Sequence, residues 1–216
     1  IKAYIIVVIS YLIALAAAGA TLQFVTEYHL MVQVLIADVV ATIVIFAFSV
    51  AYKNSSFYDA YWSVIPMVIV GYMVSLNSDA DQIRQLMLAL VILLWGFRLT
   101  ANWAIGWTGL DHEDWRYRML YETAPMPRWA VSLTSVHLFP LIVVTLGSIP
   151  MAIVASQSDS DRGFGVLDVI ALVIALTGVA LQQFADLDLR RFNRTKQPGD
   201  VLNTGLWSRS RHPNYL

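Results

Sequence analysis

The sequence predicts an all-α, polytopic bundle of transmembrane helices. Three observations predict it: apolar runs of bilayer length, a shortage of charge, and basic residues gathered at one end of the spans. Hydrophobic residues make up 58% of the 216-residue chain and charged ones 13%, against roughly 45–50% and 25% in soluble domains. A bilayer core needs about 20 mainly apolar residues as a helix. Six runs meet that need, at 3–22, 30–52, 57–77, 83–103, 129–155 and 166–185. Their continuous apolarity suits helices, since barrel strands alternate polar and apolar residues. No repeat or Pro/Gly/Ser-rich linker divides the chain, so residues 1–216 read as one membrane domain. The first run, with Lys2 before it and an AAAGA segment within it, also has features of a signal peptide.

Composition removes several classes of function. A net charge of −1 lacks the basic excess of a nucleic-acid binder. The absence of cysteine excludes disulfides, a thiol nucleophile and Cys-based metal centres. His29, His112, His137 and His212 lack metal-ligand spacing, so no metal is expected. Neither GxGxxG after a strand nor GxxxxGK[ST] occurs, and no obligate protein partner is evident.

Basic residues orient the spans. An inward N-terminus puts Lys2, Lys53, Arg116, Arg118, Arg128, Arg190, Arg191, Arg194, Lys196, Arg209 and Arg211 on the cytoplasmic side. Only Arg84 and Arg162 fall opposite, and Arg98 lies within the fourth span. Lys and Arg in short loops favour the cytoplasm. The most polar segments, 106–128 and 186–216, then share the cytoplasmic face with the start of the third span.

Each segment has a chemical and a plain reading. In 112–118, His112, Glu113, Asp114, Trp115, Arg116, Tyr117 and Arg118 could grip a planar anionic ligand, with Arg on phosphate and the rings stacking. They equally suit an interfacial loop. After the sixth span, a continued helix puts Asp186, Arg190 and Asn193 or Arg194 on one face. They would pair along the helix or line a vestibule with Gln182, Gln183 and Asp188. The final RSRHPNY turn offers Arg209, Arg211, His212, Asn214 and Tyr215, for a phosphate or ring edge or for anionic lipid. Asp38 and Arg98 are costly in lipid and should face the interior or each other. Asp59, beside Tyr58 and Tyr61, reads either as a helix-start charge or as a proton donor.

The ordered segments NSSFYDAYWSVIP, LWGFRLTANW, GLDHEDWRYR, ALQQFADLDLRRF and GLWSRSRHPNYL resemble bacterial membrane proteins related to the steroid 5-alpha-reductases, which carry the 3-oxo-5-alpha-steroid 4-dehydrogenase C-terminal domain. The resemblance covers residues 54–216, three-quarters of the chain, behind two N-terminal helices in 1–53. It implies a multi-pass protein of the bacterial inner membrane. That protein would use NADPH from the cytoplasmic side to reduce the carbon–carbon double bond of an enone lipid arriving from the bilayer. It places the cofactor among Arg98, Asn102, His112, Glu113, Asp114, Trp115, Arg116, Tyr117, Asp186, Arg190, Asn193, Arg194, Arg209, Arg211, His212, Asn214 and Tyr215. Asp59 would be the acid, seven residues before Pro66, with Tyr58 or Tyr61 replacing the family's carbonyl-binding tyrosine, whose place falls near Trp95. The family pattern continues past HPNYL, so one or two further spans and an incomplete core at the C-terminus are expected. Two alternatives stand beside this reading: an S-adenosylmethionine-dependent membrane methyltransferase of the isoprenylcysteine or phospholipid type, and a non-catalytic sterol- or lipid-binding protein.

Overall fold

The computed structural model describes residues 1–157 and 164–215; Arg162 and Leu216 lie outside the described residues. The fold is all-helical, without a strand among the described residues. Six helical segments are long and apolar enough to cross a membrane: Lys2–Leu22, Leu30–Tyr52, Ser55–Leu76, Gln82–Gly106, Arg128–Ser156 and Val166–Thr195. The chain is therefore a multi-pass membrane protein. Helices α1 (Lys2–Leu22), α2 (Leu30–Tyr52), α3 (Tyr61–Leu76) and α4 (Gln82–Gly106) form the first four crossings. The end of the bundle holding residue 1 is called the N-terminal face.

Local chemistry sets the helix ends. Asp81 caps α4 by accepting from the backbone N–H groups of Ile83 at 2.9 Å and Arg84 at 3.1 Å, satisfying donors with no partner inside the helix. At the end of α2, Lys53 adopts a left-handed conformation (φ 52°). A 3-10 turn at Ser55–Tyr58 follows, its four residues buried. Tyr11 of α1 pins that turn by donating to the Phe57 carbonyl at 2.7 Å.

The fifth crossing is not one regular helix. It comprises α6 (Arg128–Val131), a π-helical turn at Ser132–Leu138, α7 (Phe139–Gly147) and α8 (Ile149–Ser156). Pro140 and Pro150 stand at the starts of α7 and α8, where a residue without N–H is tolerated. The polar loop of 106–128 contains a further helix, α5 (Trp115–Thr123). The sixth crossing, α9, runs on to Thr195. At 1.5 Å per residue its 30 residues exceed a hydrocarbon core of about 30 Å by roughly ten residues.

The core lies among α1, α2 and α3, around Ala14, Ala41, Ile45, Phe57, Tyr61 and Met73. α4 packs on α3, and α9 packs on α4 and on the turn at Pro213–Tyr215. The close α3–α4 approach depends on Gly96. A Cβ there would sit 2.7 Å from Met67 Cγ and Sδ and 2.8 Å from the Ser63 carbonyl oxygen. Gly96→Ala should destabilise the protein by about 1–3 kcal/mol, the usual cost of overpacking, read as a lowered Tm in detergent. Gly147→Ala, with nothing within 4 Å of its added carbon, should leave Tm nearly unchanged.

Candidate functional site

The polar end of α9 is held to α4 by a buried carboxylate. Arg98 Nη1 donates to Asp186 Oδ2 at 2.6 Å, and Asn102 Nδ2 donates to the same oxygen at 3.0 Å. Asn214, in the final turn, donates to Asp186 Oδ1 at 3.0 Å. Arg98 Nη2 also reaches Gln182 Oε1 at 2.8 Å, and Arg190 donates to Asn102 Oδ1. The Arg98 and Asp186 side chains are only 9% and 7% exposed, so screening by solvent is weak. Trp207 closes the arrangement by donating its indole N–H to the Ala185 carbonyl at 3.0 Å. Arg98, Asn102, Asp186, Arg190 and Asn214, distant in sequence, thus form one cluster.

The cluster decides between alternatives that the sequence left open. Arg98 and Asp38 face the interior but not each other: Asp38 instead accepts from the Tyr61 hydroxyl at 2.7 Å. Asp186 and Arg190 do not pair along α9; both instead bond to residues of α4, Asp186 to Arg98 and Asn102, and Arg190 to Asn102. Asn193, Arg194, Arg209, Arg211, His212 and Tyr215 are exposed and lie outside the cluster's hydrogen bonds.

The second centre surrounds Asp59. A cleft of about 320 Å³ is lined by Ser56, Asp59, Asn102, Trp107, His112 and Trp115, among others. Asp59 Oδ1 accepts from the Tyr117 hydroxyl at 2.5 Å. Burial, then the Asp59 carboxyl, push the Tyr117 phenol above its usual range. Trp103 and Trp107 stack at 4.9 Å, and both indole N–H groups are buried without a partner among the described residues. Sequence reading missed these two tryptophans, although their i, i+4 spacing on α4 was an available signal. Asn102 also lines a groove of about 620 Å³ with Arg98 and Arg190, so it borders both centres.

Several loop residues prove to be engaged in docking the loop. Glu113 Oε1 accepts from the Ser55 backbone N–H at 2.8 Å, and its Oε2 accepts from Arg128 at 2.7 Å. Asp114 caps α5 through the Arg116 N–H at 2.8 Å and binds the Arg116 guanidinium at 2.6 Å. That guanidinium holds the Asp114 carboxyl below its usual range. Tyr58 and Tyr61 are not brought to the cleft. Tyr58 shares a 3.0 Å hydrogen bond with Thr42 and lies against His137, while Tyr61 points to Asp38.

An apolar groove of about 380 Å³ completes the site region. Pro66, Ile92, Trp95, Met151, Gly178 and Gln182 are among its lining residues. Gln182, bonded to Arg98, joins this groove to the Asp186 cluster.

The family described as Protein of unknown function (DUF1295) matches residues 45–216. The chain belongs to the DUF1295 family. No curated protein and no solved structure matches it. The DUF1295 match takes in the Asp186 cluster and the Asp59 cleft, but leaves α1 and most of α2, including Asp38, outside.

Removing one partner of a buried ion pair strands the other, at a typical cost of 3–5 kcal/mol, whereas replacing both with apolar residues is often tolerated. Arg98→Met should therefore lower Tm sharply, and Arg98→Met with Asp186→Leu should recover much of the loss. Because the Asp114 pKa is depressed in the fold, its contribution is complete above its ordinary value of 3.8 and is lost as pH falls through the depressed value. Pepsin cleavage within 107–128 should accelerate as pH falls below 3.8. In Asp114→Ala, which lacks the cap, cleavage should already be fast above that value.

Proposed function

We propose that this protein is an NADPH-dependent membrane reductase of the carbon–carbon double bond of an enone lipid, related to the steroid 5-alpha-reductases. The observation that carries this reading is the meeting of an apolar groove, through Gln182, with the Arg98–Asp186–Asn214 cluster, beside a cleft holding a carboxyl group. Arg98, Asp186, Asn214 and Asp59, with Pro66, Trp95 and Gln182 of the groove, lie in the segments that carry the family resemblance. The N-terminal face would be cytoplasmic, as the bias of basic residues favours.

The residues present suit a dinucleotide. Buried Arg98 Nε and Asn214 Oδ1 have no partner among the described residues, offering a donor and an acceptor to a polar ligand such as a carboxamide. The partnerless indole N–H groups of Trp103 and Trp107 extend the set. Among the described residues, Arg98 is paired with Asp186, while Arg190 is bonded only to the neutral Asn102 amide oxygen, which leaves positive charge for phosphate. Exposed Arg194, Arg209 and Arg211 add to it.

Bound there, NADPH would supply the hydride. Asp59 would hold a proton at its carboxyl group, fixed by the Tyr117 hydroxyl on Oδ1, and present it to the substrate carbonyl or α-carbon. His112 and Trp115 border that cleft, and the partly buried Tyr117 covers the Oδ1 side of Asp59. The groove of Pro66, Trp95 and Gly178 would align an apolar substrate entering from the bilayer.

Equilibrium binding to the purified protein tests the proposal. NADPH should bind, and Asp186→Ala should weaken it at least tenfold, about 1.4 kcal/mol. Asp59→Asn should retain NADPH binding but lose enone-dependent NADPH oxidation by about 10²-fold or more, the usual share of a positioned acid. Equal NADPH binding by wild type and Asp186→Ala would sink the cofactor placement. Binding of S-adenosylmethionine alone would favour a methyltransferase, and no oxidation with any enone would favour a lipid-binding protein.

A further inference from the structure

Another pocket lies on the side of α3 away from the Pro66 groove. It encloses about 310 Å³, with Leu15 and Gly19 from α1, Asp38 from α2, and Ile69, Gly71 and Tyr72 from α3 among its walls. That volume is at the lower end of the roughly 300–1,000 Å³ typical of small-molecule sites. Its surface is mainly apolar; of its polar residues, Tyr72 and Ser75 already donate their hydroxyls to Gln33 Oε1 and the Tyr72 carbonyl, and Asp38 is 2% exposed. Asp38 Oδ1 accepts from Tyr61, but buried Oδ2 has no hydrogen-bond partner among the described residues.

Asp38 is eight residues beyond the start of α2, about 12 Å along the helix and so close to the bilayer midplane. An ionisable group at that depth is costly and marks a functional position. Gly19 and Gly71 are exposed, and a Cβ at either would meet nothing within 4 Å. Both line the pocket, so their exposed, side-chain-free backbones offer a way in from the lipid-facing surface. Nothing in the proposed reduction uses Asp38, and it precedes the family match.

We propose that this pocket binds an apolar, bilayer-dissolved alcohol, of long-chain or isoprenoid type, whose single hydroxyl donates to Asp38 Oδ2. The walls select this class. A ketone or ester carries no donor for a carboxylate oxygen. An ammonium would satisfy Oδ2 with one N–H and leave others unpaired among hydrocarbon. One hydroxyl on an apolar body meets the need without that cost.

The test uses the whole protein in phosphatidylcholine vesicles with a diazirine-bearing dodecan-1-ol, and the corresponding methyl ether as control. The alcohol should label peptides within residues 15–22 and 65–75, and excess dodecan-1-ol, but not dodecyl methyl ether, should suppress the labelling. The preference for alcohol over ether should be about fivefold, one hydrogen bond of about 1 kcal/mol, and Asp38→Asn should reduce it. Gly71→Leu, which fills open space at the mouth, should abolish labelling of both segments. Equal labelling of wild type by alcohol and ether, labelling spread evenly over the six spans, or persistence in Gly71→Leu would each overturn the proposal. None of these readouts depends on NADPH, so failure of the reductase reading would leave the result intact.

Discussion

The N-terminal face of this protein depends on the Asp186 carboxylate. Three donors from two other parts of the chain converge on it: Arg98 and Asn102 from α4, and Asn214 from the closing turn. Burying a charge is expensive, and attraction alone seldom offsets the cost unless the remaining lone pairs are also satisfied. Here both oxygens are served. The geometry therefore admits few alternatives: α9 cannot rotate about its axis or slide along α4 without stranding a charge. Gln182, one turn earlier, and Arg190, one turn later, bond to the same two residues of α4, so the contact extends along the helices as a polar seam.

Around that seam the bundle divides its labour. α1, α2 and α3 contain most of the close-packed apolar core, which gives the third crossing a rigid base. The buried turn at Ser55–Tyr58 rests on this base and is gripped from outside by Glu113 and Asp114. Asp59 is thereby held at a set height, with Tyr117 above it. α4 serves both sides, presenting Gly96 to α3 and Arg98 and Asn102 to α9 and the cleft.

The six crossings and their one-sided polarity were legible in the sequence because length and apolarity alone decide whether a helix suits a bilayer. The inward-facing charges at positions 38 and 98 were also legible as interior groups, for lipid rejects them. Their partners were not. Spacing along a helix reveals i, i+4 neighbours, and it suggested Asp186 with Arg190, yet the stronger donors came from nearly ninety residues away. α5 was hidden for a different reason: a short polar helix carries no apolar period, and only the Asp114 cap and its docking contacts stabilise it. The π-helical turn at Ser132–Leu138 had no sequence signature either. Its geometry lets His137 Nδ1 meet the Ser132 carbonyl at 2.8 Å while Nε2 meets Ser49 at 3.0 Å. Tyr58 and Tyr61 are neighbours of Asp59 in sequence, but the turn between them sends their hydroxyls into the core.

The length of α9 has a mechanical consequence. Its apolar portion must match the bilayer, while the last ten or so residues stand clear as a rigid extension. A helix adjusts to membrane thickness chiefly by tilting. A 10° change in tilt would swing the tip of an extension about 15 Å long by roughly 2–3 Å, comparable to a hydrogen-bond length. Because α4 is fastened to α9 at Asp186, the two helices would lean as a pair, opening or narrowing the gap between Asn102 and the loop around His112. Bilayer thickness thus becomes a variable of the site itself, transmitted by a lever whose fulcrum is one carboxylate.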